Sequence, residues 1–241
     1  MVSRAKKVRK NKITKFRKSL LVIGTEGDNK TEELYFRELE RKQGKYHVIF
    51  ARGNETDPVN IVKNTAKAAK KEEISIKKGD LAISIFDLDV DRKKVEQLLE
   101  AKKTADAGKI NIFTSNPCFE VWYLEHFSYT SKYFSNSEDV IKELVKQCPN
   151  YQKNTCDIDL FYPLTKNAIQ NCVLLEEHHR KYGSEKTEEF NNPRTDIYKL
   201  VQKIIEDEAS YGIVSYKKRR FYCSRTSKSC CLTNTYIGIL A

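Results

Sequence analysis

The sequence has no apolar run long enough to cross a bilayer, and no apolar segment follows its first basic residues. Both a membrane span and a secretory signal are therefore unexpected. No internal repeat is visible, which argues against solenoids and propellers. The seven cysteines are odd in number, none forms a CxxC pair, and Cys230 and Cys231 are simply adjacent. That pattern offers neither a disulfide framework nor a zinc-ligand set, and it reads as reduced thiols in a cytoplasmic protein.

What is present is an ordinary core and an uneven charge. With 241 residues, 39% hydrophobic and 32% charged, the chain can bury one large domain or a domain with an appendage. The net charge is +11. Residues 1–18 carry nine of the 44 Lys/Arg and no acid, including Arg9, Lys10 and Lys12, which leaves 35 basic against 33 acidic residues elsewhere. The charge signal is thus a basic, flexible arm on a nearly neutral body. Such an arm either contacts the phosphates of nucleic acid or serves only as a solubilising tail.

The chain is organised around Leu81–Asp91, where the apolar run LAISIF leads into Asp87-Leu88-Asp89-Val90-Asp91. Apolar residues of strand length after Gly79-Asp80 predict a buried strand, with Asp87 and Asp89 at or just past its C-terminal end. Residues two apart on an extended segment point the same way, so the two carboxylates can converge on a hard cation, Mg²⁺ or Mn²⁺. The plainer alternative is a solvated loop or the cap of the next helix.

Three further strands are predicted, over Ser19–Gly24, Tyr46–Ala51 and Ile110–Thr114. Helices are expected from about Lys30 to Lys42 behind an Asn29/Glu32 capping box, from Pro58 to about Glu72 capped by Asp57, and from about Arg92 to Lys103 on Val95, Leu98 and Leu99. Asn116-Pro117 opens a further helix through Phe127. Four β-then-α units imply an α/β layer with a mainly parallel, four-stranded sheet over residues 19–130, whose ligands lie beyond the strand C-termini. Glu26, Asp87, Asp89 and Glu120 all follow such strands. Acids from separate connections repel one another unless a cation neutralises them, which favours a metal site over a chance grouping.

Residues 131–209 read as a helical C-terminal portion that either packs on the sheet or forms a subdomain. Ser137 caps one helix to about Gln147, a second runs from about Lys166 to Tyr182, and Asn192-Pro193 opens a last one through Ile204. Residues 210–241, a basic tail, show no clear period. Trp122, Phe119 and Tyr123 read as core, and His47 and His126 as structural. His178 and His179 face different ways on a helix and make a poor joint metal site.

Thr25-Glu26-Gly27, Phe86-Asp87-Leu88-Asp89 and the segment Ser115-Asn116-Pro117-Cys118-Phe119-Glu120-Val121-Trp122, in that order, resemble the RloB/AbiLii-like family of bacterial abortive-infection and restriction-linked loci. The resemblance runs from about Leu20 to Val201 and leaves out residues 210–241. It implies a divergent Toprim domain, with acid/base chemistry or metal binding on Glu26 and Mg²⁺ held by Asp87 and Asp89. Asp91 is either a further ligand through water or a helix cap. Glu120 is a candidate for a second metal or a general base. Arg52 and Asn54, after strand two, either hold phosphate oxygens or lie on the surface; Lys153, in a polar segment, reads first as a surface residue and second as one that approaches substrate. The expectation is a Mg²⁺-dependent nuclease acting on RNA, including tRNA, or on DNA, as a toxic effector of phage defence beside a partner ATPase. The alternative is a catalytically silent module that binds nucleic acid or the ATPase. Primase or topoisomerase activity is disfavoured, because no zinc cysteines, nucleotidyl-transfer apparatus or distinctive tyrosine nucleophile is present.

Overall fold

A computed structural model describes residues 17–27, 30–51, 53, 56–183 and 188–223, with side chains as far as residue 210. Its centre is a sheet in the order β2-β1-β3-β4-β5, formed by β1 (Ser19–Gly24), β2 (Tyr46–Ala51), β3 (Leu81–Asp87), β4 (Asn111–Asn116) and β5 (Arg194–Thr195). The first four strands are parallel. The fifth, two residues long, runs antiparallel to β4 through Ser115–Thr195 and Asn116–Arg194. Among the described residues the sheet therefore has five strands rather than the expected four. A two-residue strand carries no periodicity, so only its partner reveals it.

Both faces of the sheet are covered, which is why its strands read as continuous apolar runs. Leu21, Ile23, Ile83 and Ile85 point to one face. There they meet α1 (Thr31–Lys42), α4 (Glu120–Glu125), α5 (Ser137–Gln147), α6 (Ile158–Phe161), α7 (Thr165–Tyr182) and α8 (Ile197–Cys223). Val22, Ala82 and Phe86, one residue out of phase, point to the other face, against α2 (Pro58–Lys71) and α3 (Arg92–Gly108). Phe119, Trp122 and Tyr123 are fully buried in the first layer, as core residues should be. The helical C-terminal portion packs on the sheet, since Leu144, Phe161, Ala168, Ile197 and Val201 share that cluster.

Several local expectations shift. Helix α3 buries Ala101 and Ala105 and leaves Leu99 46% exposed, because it runs to Gly108 and its inner stripe follows Val95, Leu98, Ala101 and Ala105. Asn136, not Ser137, caps α5, its side chain accepting from the backbone N–H of Asp139. Helix α4 begins at Glu120, after the Asn116–Pro117 bond. Asn192-Pro193 leads into β5 rather than opening the last helix. That helix continues to Cys223, through residues for which no structure was expected.

Two anchors lie where the strands begin. Asp80 accepts from the backbone N–H groups of Leu20 (2.8 Å) and Ser75 (2.8 Å), and pairs with the Arg17 guanidinium. Glu208 of α8 accepts from the N–H groups of Gly44 and Lys45, at 2.9 and 2.6 Å. The base of the basic arm is thus held at the edge opposite the strand C-termini. Among the described residues, no helix is long and apolar enough to cross a membrane.

Candidate active site

The C-terminal ends of β1 and β3 are neighbours, paired in register up to Gly24–Ser84. Glu26 lies in the turn after β1, Asp87 is the last residue of β3, and Asp89 lies in the short connection to α3. That connection is tightly specified. Asp89 and Val90 adopt left-handed backbone conformations, with φ of 50° and 59°, which non-glycine residues rarely enter. Leu88 N–H donates to Ser115 O (2.8 Å), Asp89 N–H to Pro117 O (2.9 Å) and Val90 N–H to Asn116 Oδ1 (3.1 Å). Asn116 in turn donates to Asn191 O at 3.0 Å, so the end of β4 and the Pro117 that follows it, braced by the Asn191 segment, fix the backbone of Asp89.

At the centre of this edge is a residue that the sequence reading passed over. The Lys94 ammonium, from the first turn of α3, donates to Glu26 Oε1 (2.9 Å), Asp89 Oδ2 (2.5 Å) and the Asp87 carbonyl oxygen (3.1 Å). Glu26 and Asp89 are thereby drawn to one point; Asp87, expected to pair with Asp89 across extended backbone, instead meets Lys94 through its main-chain carbonyl, because Asp89 has left the extended conformation. Below them lie two more acids, Glu32 in the first turn of α1 and Glu120 at the start of α4, 1% and 2% exposed. Glu120 Oε1 accepts from the Tyr151 hydroxyl at 2.9 Å and from Thr31 Oγ1 at 3.5 Å.

The crowding is visible in the proton affinities. Burial, then the charges of Glu32, Glu120, Glu26 and Asp89, push Asp87 well above the usual carboxylate range. Burial, with Glu120 and Glu26 adding and Lys153 opposing, pushes Glu32 up to about 8. Glu26 is also raised by burial, an effect that the adjacent Lys94 ammonium partly offsets. Burial pulls Lys94 down, but its bonds to Asp89 and Glu26 outweigh this and leave its proton held more tightly than usual.

The remaining expectations divide. Asp91 is the N-cap of α3, its Oδ1 accepting from Lys93 N–H at 2.8 Å, which matches the capping alternative. Glu120 is brought beside Asp87, but under the rim and not on it. His126 is buried, donates from Nδ1 to Trp122 O at 2.8 Å, and burial lowers its pKa to about 4; it is a neutral core residue. Arg9, Lys10, Lys12, Arg52 and Asn54 lie outside the described residues, as does Asn29 of the expected capping box.

One signal would have exposed Lys94. Arg92, Lys93 and Lys94 crowd the first turn of α3, which holds no acid, although the positive end of a helix dipole disfavours cations there. Cations in that place imply anions opposite. Glu32 was harder to find, because a glutamate near a helix start reads equally well as part of a capping box.

The all-oxygen donor set suits a hard divalent cation in its chemistry, and the raised Asp87 and Glu32 are groups such a charge would relieve. Among the described residues, however, no three of His, Cys, Asp and Glu stand as a ready-made metal shell.

A model of the RloB-like protein family matches residues 21–204. The chain belongs to that family. The match begins inside β1 and ends within α8, so it takes in every element that positions the acids of this RloB-like protein. Nothing matches among the curated proteins or the solved structures.

Proposed function

We propose that this RloB-like protein is a metal-dependent phosphodiesterase that cuts nucleic acid, with Mg²⁺ or Mn²⁺ bound at the strand C-termini by Asp87, Asp89 and Glu26. The reading is carried by one observation, the convergence of Glu26 and Asp89 on a single cationic group beside Asp87. Acids gathered from two connections repel one another unless a positive charge relieves them.

A bound divalent ion would supply Lewis-acid activation of water and neutralise charge on a phosphodiester. The chain supplies the rest. Glu26, partly buried and with its pKa raised, holds or releases a proton closer to neutrality than a free glutamate, as a general acid or base requires. Asp87, at the end of β3, and Asp89, whose backbone is held by the bonds around it, would present their carboxylates from fixed points of the chain. Glu120 and Glu32 act from beneath by setting the charge around Asp87. Phosphate oxygens would be held by the basic arm and by Arg52 and Asn54. The resemblance to abortive-infection proteins extends the proposal to a toxic effector acting beside an ATPase.

A second reading is favoured by one specific feature. Lys94 already neutralises Glu26 and Asp89, as expected of a silent module that binds nucleic acid or a partner ATPase. Sequencing of RNA and DNA ends from cells producing the protein or its Asp87→Ala variant separates the two. New ends that vanish in Asp87→Ala support the nuclease. Identical end profiles, with both proteins folded, would overturn it.

A further inference from the structure

The Lys94 ammonium has three N–H groups and three oxygen acceptors, contributed by the turn after β1, the end of β3 and the β3–α3 connection. Its donor capacity is therefore filled. Oxygens from separate chain segments gathered around one charge is also the way a small cation is coordinated. The side chain is only 18% exposed, and it reaches this place from a helix N-terminus that disfavours it. The carboxylates, not the helix, hold it there. The Asp89 backbone is pinned to Pro117 and its neighbour Val90 to Asn116, so the carboxylate is presented from a fixed point of the rim. Lys94, by contrast, has a flexible four-carbon stem.

We propose that Lys94 is an internal counter-cation that occupies the divalent-ion position between Glu26 and Asp89 and must swing out before an ion can enter. The inference rests on the metal-dependent reading above. It makes the ion-free protein a closed, charge-balanced state. Binding then exchanges one resident cation for another, with the released ammonium turned toward solvent or substrate phosphate. Because like charges repel strongly at these separations, ammonium and divalent ion cannot share the two carboxylates.

The test is calorimetric titration of Mn²⁺ into the full chain as wild type, Lys94→Met, Lys94→Gln and Lys94→Arg. Thermal melts in chelator and in excess Mn²⁺ accompany it. Both neutral variants should bind Mn²⁺ at least tenfold tighter than wild type, melt lower in chelator, and gain more from Mn²⁺. Lys94→Arg should stay at or below the wild-type affinity. A measurement without any variant uses an amine-acylating reagent and mass spectrometry, in which saturating Mn²⁺ should raise Lys94 labelling severalfold. If wild type binds Mn²⁺ but the neutral variants bind no tighter, or Lys94 labelling does not change, the lock is wrong while the metal reading stands. If no form takes up Mn²⁺, both fall.

Discussion

The hydroxyl of Tyr151 donates a 2.9 Å hydrogen bond to Oε1 of Glu120, tying the segment after α5 to the first residue of α4. Both residues are buried, and burial followed by the charge of Glu120 raises the phenol's pKa, so the proton stays on Tyr151. This bond joins the helical C-terminal portion to the acid cluster. Tyr151→Phe keeps the ring contact with Tyr123, centroids 5.8 Å apart, and removes the hydroxyl, which Thr31 also bonds. Loss of a hydrogen bond to a buried carboxylate should cost about 1.5–3 kcal/mol in urea unfolding. A variant as stable as wild type would remove Tyr151 from the account of how Glu120 is held.

Gly24 closes β1, two residues before Glu26, where a Cβ would lie 2.0 Å from Thr65 Oγ1 and 3.3 Å from Ile61 Cγ2. Thr65 has little room to move, being bonded to Ile61 O and Ser84 Oγ at 2.8 and 2.9 Å. Gly24→Ala should lower stability by about 1–3 kcal/mol through overpacking. Thr65→Ala removes the clashing atom, so the double variant should cost less than the two single costs combined. Simple additivity in thermal melts would show that the approach of α2 to β1 is not the reason for glycine.

Asp91 caps α3 through its bond to Lys93 N–H, so helix stability and ion binding can be read separately at this position. Asp91→Ala should cost about 1 kcal/mol through loss of the cap, and Asp91→Ser should restore most of it. Mn²⁺ affinity of both variants should stay within twofold of wild type in calorimetry. A drop of tenfold or more would return Asp91 to the ion site.

Glu125 offers a pH readout away from the rim. It is fully buried, and burial, slightly opposed by the Thr130 backbone N–H, raises its pKa to about 8. An unfolded chain releases that proton near the ordinary glutamate value, about 4.3. Between those values the folded state holds the extra proton, so Glu125 lowers stability as pH rises and adds no slope above about 8. Glu125→Gln should therefore remove a fall on the order of a few kcal/mol between pH 5 and 8, read from urea unfolding at several pH values. Parallel profiles for the two proteins would contradict this assignment.

Much of the candidate site was legible because its parts are local. The LAISIF run with Asp87 and Asp89, the LLVIG run (Leu20–Gly24) with Glu26, and Asp57 before Pro58 each carry their meaning within a few residues, and the structure places β3, β1 and the α2 cap accordingly. Where expectation and structure part, the cause lies far along the chain. Leu99 fits the apolar stripe of α3 as well as Ala101 does, until α2 and the sheet choose the angle at which α3 packs. Thr195 has nothing strand-like about it until Ser115 lies beside it.

The amino-acid order alone determined the alternation of strands and helices, the buried parallel sheet and the edge on which the acids would emerge, because periodicity and strand direction are properties of short segments. Tertiary structure decided how those acids are balanced. It brought Lys94 between Glu26 and Asp89, set Glu32 and Glu120 beneath Asp87, and gave Asp91 to its helix. Electrostatic partners are chosen by distance through space, and distance between remote segments exists only once the chain has folded.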